Sequence, residues 1–188
     1  MTCIVGLEYE DGVIIGCDAA AVTGSLKMIT TTPKVFRLQN LLIGYTWSFR
    51  MGQVLQYAKD IPDLTNTNSN YEYLVSDFVP FVRSLFKDAG IMKVENSVEE
   101  GGQFLVGIRG QLFEINSDFC VLRYEDGFNA VGSGQSYALG ALYSRSGRFL
   151  STPNLEWKKK LVEIGLETAE HFCTTVSSPF KIMVLENK

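Results

Sequence analysis

Histidine is almost missing from this sequence: His171 is the only one in 188 residues. A Ser-His-Asp triad or a histidine-based metal site therefore has a single possible anchor, and no acidic or cysteine residue stands at ligand spacing around it. His171 reads as a helix-surface residue, and neither a metal nor a cofactor is expected. Cysteine is scarce and dispersed. Cys3, Cys17, Cys120 and Cys173 form no C-x-x-C pair and lie mostly in apolar runs, which points to free thiols and a reducing, cytoplasmic compartment. Long hydrophobic runs are lacking too, since nothing approaches the roughly 20 apolar residues that cross a bilayer. Glu8, Glu10 and Asp11 occupy the stretch where a secretory leader carries a basic region ahead of an apolar one. No membrane partner is expected. A basic surplus is also absent: 17 Lys and Arg face 21 Asp and Glu, for a formal charge of −4, whereas nucleic-acid binding calls for a basic face or stripe.

What is present is an ordinary globular composition, 46% hydrophobic and 20% charged, which excludes disordered and collagen-like classes. The length suits one domain over residues 1–188. No linker or repeat interrupts it, and Thr65–Asn70 is the one polar low-complexity stretch.

Two hairpins open the chain. Thr2–Tyr9 and Val13–Cys17 flank an Asp11-Gly12 turn, and Lys34–Leu38 and Leu41–Thr46 flank Gln39-Asn40. From Ser48, a candidate N-cap, Met51, Val54, Leu55 and Ala58 recur at helical spacing up to Pro62. A second helical face runs through Leu74, Val75, Phe78, Val79, Val82, Leu85 and Phe86, with Pro80 predicted to kink or interrupt it. Strands return at Gln103–Ile108, Leu112–Asn116, Cys120–Tyr124 and Phe128–Val131. Gly132-Ser133-Gly134 then leads into a short helix through Ala138 and Leu142. A longer helix carries Leu161, Val162, Gly165, Leu166, Ala169, Phe172 and Cys173, and Phe180–Leu185 closes as a strand. Strands, two helices, strands, two helices and a strand do not alternate as a doubly wound fold does. Two antiparallel sheets, each with a helix pair on its outer face, satisfy the order: an α+β, four-layer αββα sandwich.

Three short segments carry chemistry: Thr2-Cys3-Ile4-Val5-Gly6, Gly16-Cys17-Asp18 and Pro33-Lys34-Val35-Phe36. A threonine hydroxyl is a poor nucleophile until a base removes its proton. A free α-amine, with a reference pKa of about 7.7–8.0, does so near neutrality, and only a chain-terminal residue holds both groups. A lysine ammonium anchored by an aspartate favours the alkoxide and keeps the amine neutral by like-charge repulsion. Taken singly, Asp18 reads equally as a turn cap, Lys34 as a solvated strand end, and Ser133 as a helix N-cap after two turn glycines.

Together, and in this element order, these segments resemble the proteasome β subunits and the HslV-type bacterial peptidase, N-terminal-nucleophile hydrolases. Pro33-Lys34-Val35-Phe36 and Ser48-Phe49-Arg50-Met51-Gly52 are similar to those of proteasome-like proteins of bacteria and phages. The resemblance spans nearly the whole chain in element order, and its specific motifs concentrate before residue 60 and around residue 132. It implies a threonine-type endopeptidase in which Thr2 is the nucleophile once Met1 is removed. Asp18 and Lys34 would support it, and Ser133 would position the amine or a water. The backbone N–H of Ser48, where the family usually has glycine, would form the oxyanion hole. Ala21, Thr32, Thr46 and Arg50 would line the substrate pocket, Arg50 favouring acidic or polar side chains. The family's aspartate near the C-terminal helix has no match in Cys173-Thr174-Thr175-Val176-Ser177, and Ala19-Ala20 replaces its usual Ser-Arg.

The implied partners are a peptide or unfolded-protein substrate, copies of the same chain in a homo-oligomer such as a ring, and a separate ATPase unfoldase, since no P-loop is present. Two other readings fit the same fold: a non-catalytic ring or scaffold subunit, and an acyl-transferase or peptide ligase that captures the acyl-threonine with an amine.

Overall fold

A computed structural model describes residues 2–64, 67–149 and 154–187, leaving aside the side chains of 146–149. Met1, whose removal the resemblance implies, and Thr65 and Asn66 of the polar stretch lie outside the described residues.

The opening hairpin forms as expected, β1 (Cys3–Tyr9) against β2 (Gly12–Cys17). These two strands are the centre of a four-stranded antiparallel sheet. Its edges are β12 (Phe128–Gly132), beside β1, and the C-terminal β13 (Lys181–Glu186), beside β2. A second sheet has the order β11 (Val121–Leu122), β10 (Gln111–Ile115), β9 (Phe104–Ile108), β6 (Leu41–Tyr45) and β5 (Val35–Leu38).

Three apolar layers explain the near-continuous hydrophobic runs of the central strands, which are covered on both faces. Ile4, Ile15, Val35, Leu42, Leu105 and Val131 fill the space between the sheets. Val5, Leu7 and Ile14 point the other way, onto α4 (Gln135–Phe149) and α5 (Leu155–Phe172) through Ala138, Leu142, Leu161, Val162 and Leu166. The outer face of the second sheet packs on α1 (Phe49–Gln56), α2 (Asn70–Tyr73) and α3 (Val79–Asp88) through Met51, Leu55, Tyr73, Val82 and Phe86. This is the αββα sandwich that the element order implies.

Four local features differ from expectation. Ala20–Thr23 (β3) and Leu26–Ile29 (β4) form an extra hairpin. Leu26, Met28 and Ile29 are all exposed, so no buried face imprints a period of two on it. Lys93–Glu95 (β7) and Val98–Glu100 (β8) make another hairpin. Its Asn96-Ser97 turn holds both residues at positive φ, 50° and 65°, the geometry that an Asn-Gly pair would have advertised. Leu74–Phe78 is a π-helical turn joining α2 to α3. The wider turn leads without a break into Pro80, which sits at the start of α3, where its missing N–H is best tolerated. Finally, α4 is a full-length helix rather than a short one.

Candidate active site

Register builds the charged half of the site. Ile4 pairs with Cys17 across β1 and β2, so Asp18, just past β2, comes opposite Cys3. The Asp18 N–H donates to the Cys3 carbonyl at 3.3 Å. Asp18 Oδ1 accepts from the Cys3 N–H at 2.9 Å and from Lys34 Nζ at 2.8 Å, and Oδ2 accepts from the Ala20 N–H at 2.9 Å. Lys34 arrives at the head of β5, its carbonyl taking the Tyr45 N–H at 3.0 Å. Both partners are buried, Asp18 at 1% and Lys34 at 2% exposure. One carboxylate oxygen thus ties the lysine ammonium to the residue that follows Thr2. Asp18 does cap the turn that follows β2, through the Ala20 N–H, and holds Lys34 as well, whereas the solvated-strand-end reading of Lys34 does not survive.

Thr2 itself is buried, and it is gripped from the other side by the β12–α4 turn. Its nitrogen donates to Ser133 Oγ at 3.2 Å, while its carbonyl accepts from Ser133 Oγ at 3.1 Å and from the Gly134 N–H at 3.3 Å. Gly132 has φ of +94°, and a Cβ there would collide with the Thr2 carbonyl oxygen, so a glycine is required for this approach. The structure therefore gathers Thr2, Asp18, Lys34 and Ser133 around the start of β1.

Sequence reasoning missed the next links. Ser133 Oγ lies 2.8 Å from Thr175 Oγ1, which lies 3.1 Å from Cys173 Sγ. Burial pushes the Cys173 thiol up, but hydrogen bonds from the Thr175 hydroxyl and backbone and from Ser133 outweigh it and leave the thiol below its ordinary value. By contrast, burial, reinforced by the charge of Asp18, drives Cys3 far above the thiol range. A hydroxyl chain thus runs from Ser133 into the segment after α5, where the sequence has no match to the family's aspartate. Its only sequence signal is the polar Cys173-Thr174-Thr175 cluster directly after α5.

The substrate-side expectations divide. Thr46 is buried with its methyl carbon 3.2 Å from where a Gly132 Cβ would stand, but its N–H and hydroxyl both donate to the Gln103 carbonyl, at 3.0 and 3.1 Å. The Ser48 N–H, expected to face the site as an oxyanion donor, instead donates to the Thr46 carbonyl at 3.1 Å. Trp47 between them has φ of 74°, which makes this a γ-turn. Ser48 Oγ caps α1 by accepting the Arg50 N–H at 3.1 Å. Arg50 is exposed, Ala21 is half-buried on β3 opposite Met28, and Thr32 is exposed with its N–H on Thr30 Oγ1 at 3.0 Å. His171 is on the exposed last turn of α5, edge-on to the Phe172 ring with centroids 4.6 Å apart. Among the described residues no group of three or more His, Cys, Asp or Glu is placed to hold a metal, and no helix is long and apolar enough to cross a membrane.

The model of the family described as Proteasome subunit matches residues 1–156. No curated protein matches in sequence. Among solved structures, Thiobacillus denitrificans BPH in complex with Epoxomicin superposes with a TM-score of 0.78 at 19% identity, covering 99% of each chain. HslV from Trypanosoma brucei gives a TM-score of 0.66 at 17% identity, over 98% of this chain and 99% of that one. The Anbu complex from Pseudomonas aeruginosa, a helical assembly, gives 0.70 at 18%, over 98% of this chain and 81% of that one. At these identities the structural likeness establishes the fold.

Proposed function

The chain belongs to the proteasome subunit family, and on that premise we propose that it is a threonine-type peptidase whose nucleophile is Thr2 after removal of Met1. The observation that carries the reading is the shared oxygen of Asp18, which holds the Lys34 ammonium and the Cys3 N–H together at 2.8 and 2.9 Å while Ser133 takes the Thr2 nitrogen. The Thr2 α-amine takes the proton of the Thr2 hydroxyl as Oγ1 attacks the substrate carbonyl carbon. Lys34 stabilises the developing negative charge, and a neighbouring cation disfavours protonation of the amine at rest. The protonated amine then gives its proton to the departing peptide nitrogen, leaving an acyl ester on Thr2. Water attacks that ester, its proton passing to the amine and from there to Thr2 Oγ1 as the ester bond breaks, which releases the new carboxyl end and restores the free hydroxyl and amine. Ser133, backed by Thr175, orients the amine or the water.

Residues 1–188 act as one domain in this reading, on a peptide or an unfolded chain in the cytoplasm. The Anbu assembly supports a homo-oligomer as the working form, with a separate ATPase as the source of unfolded substrate. The BPH complex with Epoxomicin suggests the probe. Intact mass after incubation with this epoxyketone is expected to show a chain without Met1 carrying one adduct, with Thr2→Ala carrying none. Retained Met1 and no adduct would leave only a scaffold subunit. The Ser48 N–H, donated away from the site, is the observation that favours that second reading.

A further inference from the structure

Trp47 has no role in the chemistry above, yet its backbone is held in the left-handed region directly before Ser48. It is a bulky aromatic residue, 52% exposed, held at φ 74°, a region that any residue with a Cβ enters at a cost. Its neighbours on both sides are fixed. Thr46 is clamped twice to the Gln103 carbonyl. Ser48 caps α1 through its side chain and accepts the Gly52 N–H at 3.2 Å on its carbonyl, and Gly52 packs on the Tyr45 ring at the end of β6. Between these two anchored residues, the Trp47 backbone sets how the Trp47–Ser48 peptide is turned. Its γ-turn aims the Ser48 N–H at the Thr46 carbonyl.

Resting on the hydrolase reading, we propose that Trp47 is a one-residue latch on the oxyanion donor. At rest the γ-turn keeps the Ser48 N–H occupied. When a substrate carbonyl enters, Trp47 leaves the left-handed region, the turn opens and the N–H passes to the oxyanion, which offers a stronger, charge-assisted hydrogen bond than a neutral carbonyl does. Relief of the positive φ offsets part of the cost of breaking the Ser48–Thr46 hydrogen bond, and the stronger bond to the oxyanion tips the balance. Trp47 is thus a positioning residue that acts through Ser48.

Three variants separate the backbone from the indole, which all three lack. Glycine accepts positive φ, alanine tolerates it poorly, and proline cannot adopt it. Trp47→Gly is expected to melt about 2–4 °C above Trp47→Ala, as relief of a left-handed residue implies for a chain of this length. Trp47→Pro is expected to take the epoxomicin adduct about tenfold faster than Trp47→Gly, because the latch is open in one and favoured closed in the other. If Trp47→Ala melts above Trp47→Gly, the γ-turn is not the resting state and the latch is overturned, whatever the chemistry does. Equal adduct rates in the glycine and proline variants overturn the latch alone. An inert wild type with an equally inert proline variant removes the hydrolase reading and the latch with it, whereas an inert wild type with a reactive proline variant supports both.

Discussion

Asp18 and Lys34 allow the buried site to be weighed. Replacing Asp18 by alanine strips the Lys34 ammonium of its carboxylate and leaves the Cys3 and Ala20 N–H groups without an acceptor. Breaking a buried ion pair costs about 3–5 kcal/mol, a large part of the roughly 5–15 kcal/mol that holds a domain together. Lys34→Met is milder, about 2–3 kcal/mol, because the carboxylate keeps two backbone donors. The double variant removes both charges and leaves only the two amides unpaired, for about 2–4 kcal/mol. The cycle therefore predicts a coupling of about 2–4 kcal/mol between the two side chains. Urea unfolding at one fixed protomer concentration measures it, since assembly otherwise shifts the midpoint. A coupling below about 0.5 kcal/mol, the value of an exposed pair, would refute the burial on which the argument stands. Epoxomicin labelling on the same samples separates stability from chemistry. Each single variant and the double variant are expected to remain unlabelled, even where the double variant regains stability over Asp18→Ala.

Gly132→Ala places a Cβ against the Thr2 carbonyl at φ +94° and is expected to cost about 2–5 kcal/mol from strain and overpacking; chemical denaturation, with loss of the Thr2 adduct, checks it. The Cys173 thiol, lowered by the hydrogen bonds of Thr175 and Ser133 that outweigh its burial, is expected to reach half-maximal alkylation by iodoacetamide at a lower pH than a free thiol, because the thiolate is the reactive form. Thr175→Val should move that midpoint upward, and a midpoint unmoved by Thr175→Val would show that the hydroxyl does not hold the thiolate.

How much of this was legible in the sequence follows from what each residue needs from its surroundings. The hairpin of β1 and β2 and the places of Asp18 and Lys34 depend on local spacing, and they read correctly. Burial of the ion pair did not read from that spacing, because a residue just past a covered strand can also be exposed, as Glu10 is after β1. The β3–β4 hairpin did not read, because exposed Leu26, Met28 and Ile29 carry no alternation. Thr175 and Cys173 did not read as part of the site, because their link to Ser133 crosses |i−j| of 42 and 40 residues with no regular register to predict it. The direction of the Ser48 N–H did not read either, because it is set by the φ of Trp47, a residue whose type argues against that conformation.

The fold does not need its buried ion pair. β1 and β2 are already in register from Ile4 to Tyr9, and the layer between the sheets is closed by Ile4, Ile15, Val35 and Leu42. A buried ion pair is often no better for stability than apolar side chains of the same volume, so what the sandwich draws from position 18 is the acceptor for the Cys3 and Ala20 N–H groups, which a neutral side chain could also supply, rather than the charge pair. What an apolar pair cannot supply is a cation fixed beside the backbone of Thr2. The groups hydrogen-bonded to Thr2 are neutral donors and acceptors, Ser133 Oγ and the Gly134 N–H. They orient a proton without adding charge; the Lys34 ammonium, tied through Asp18 to the Cys3 N–H, is the cation that the proposed alkoxide on Thr2 would draw on. Stability alone gives no account of that arrangement, whereas the proposed nucleophilic chemistry at Thr2 would.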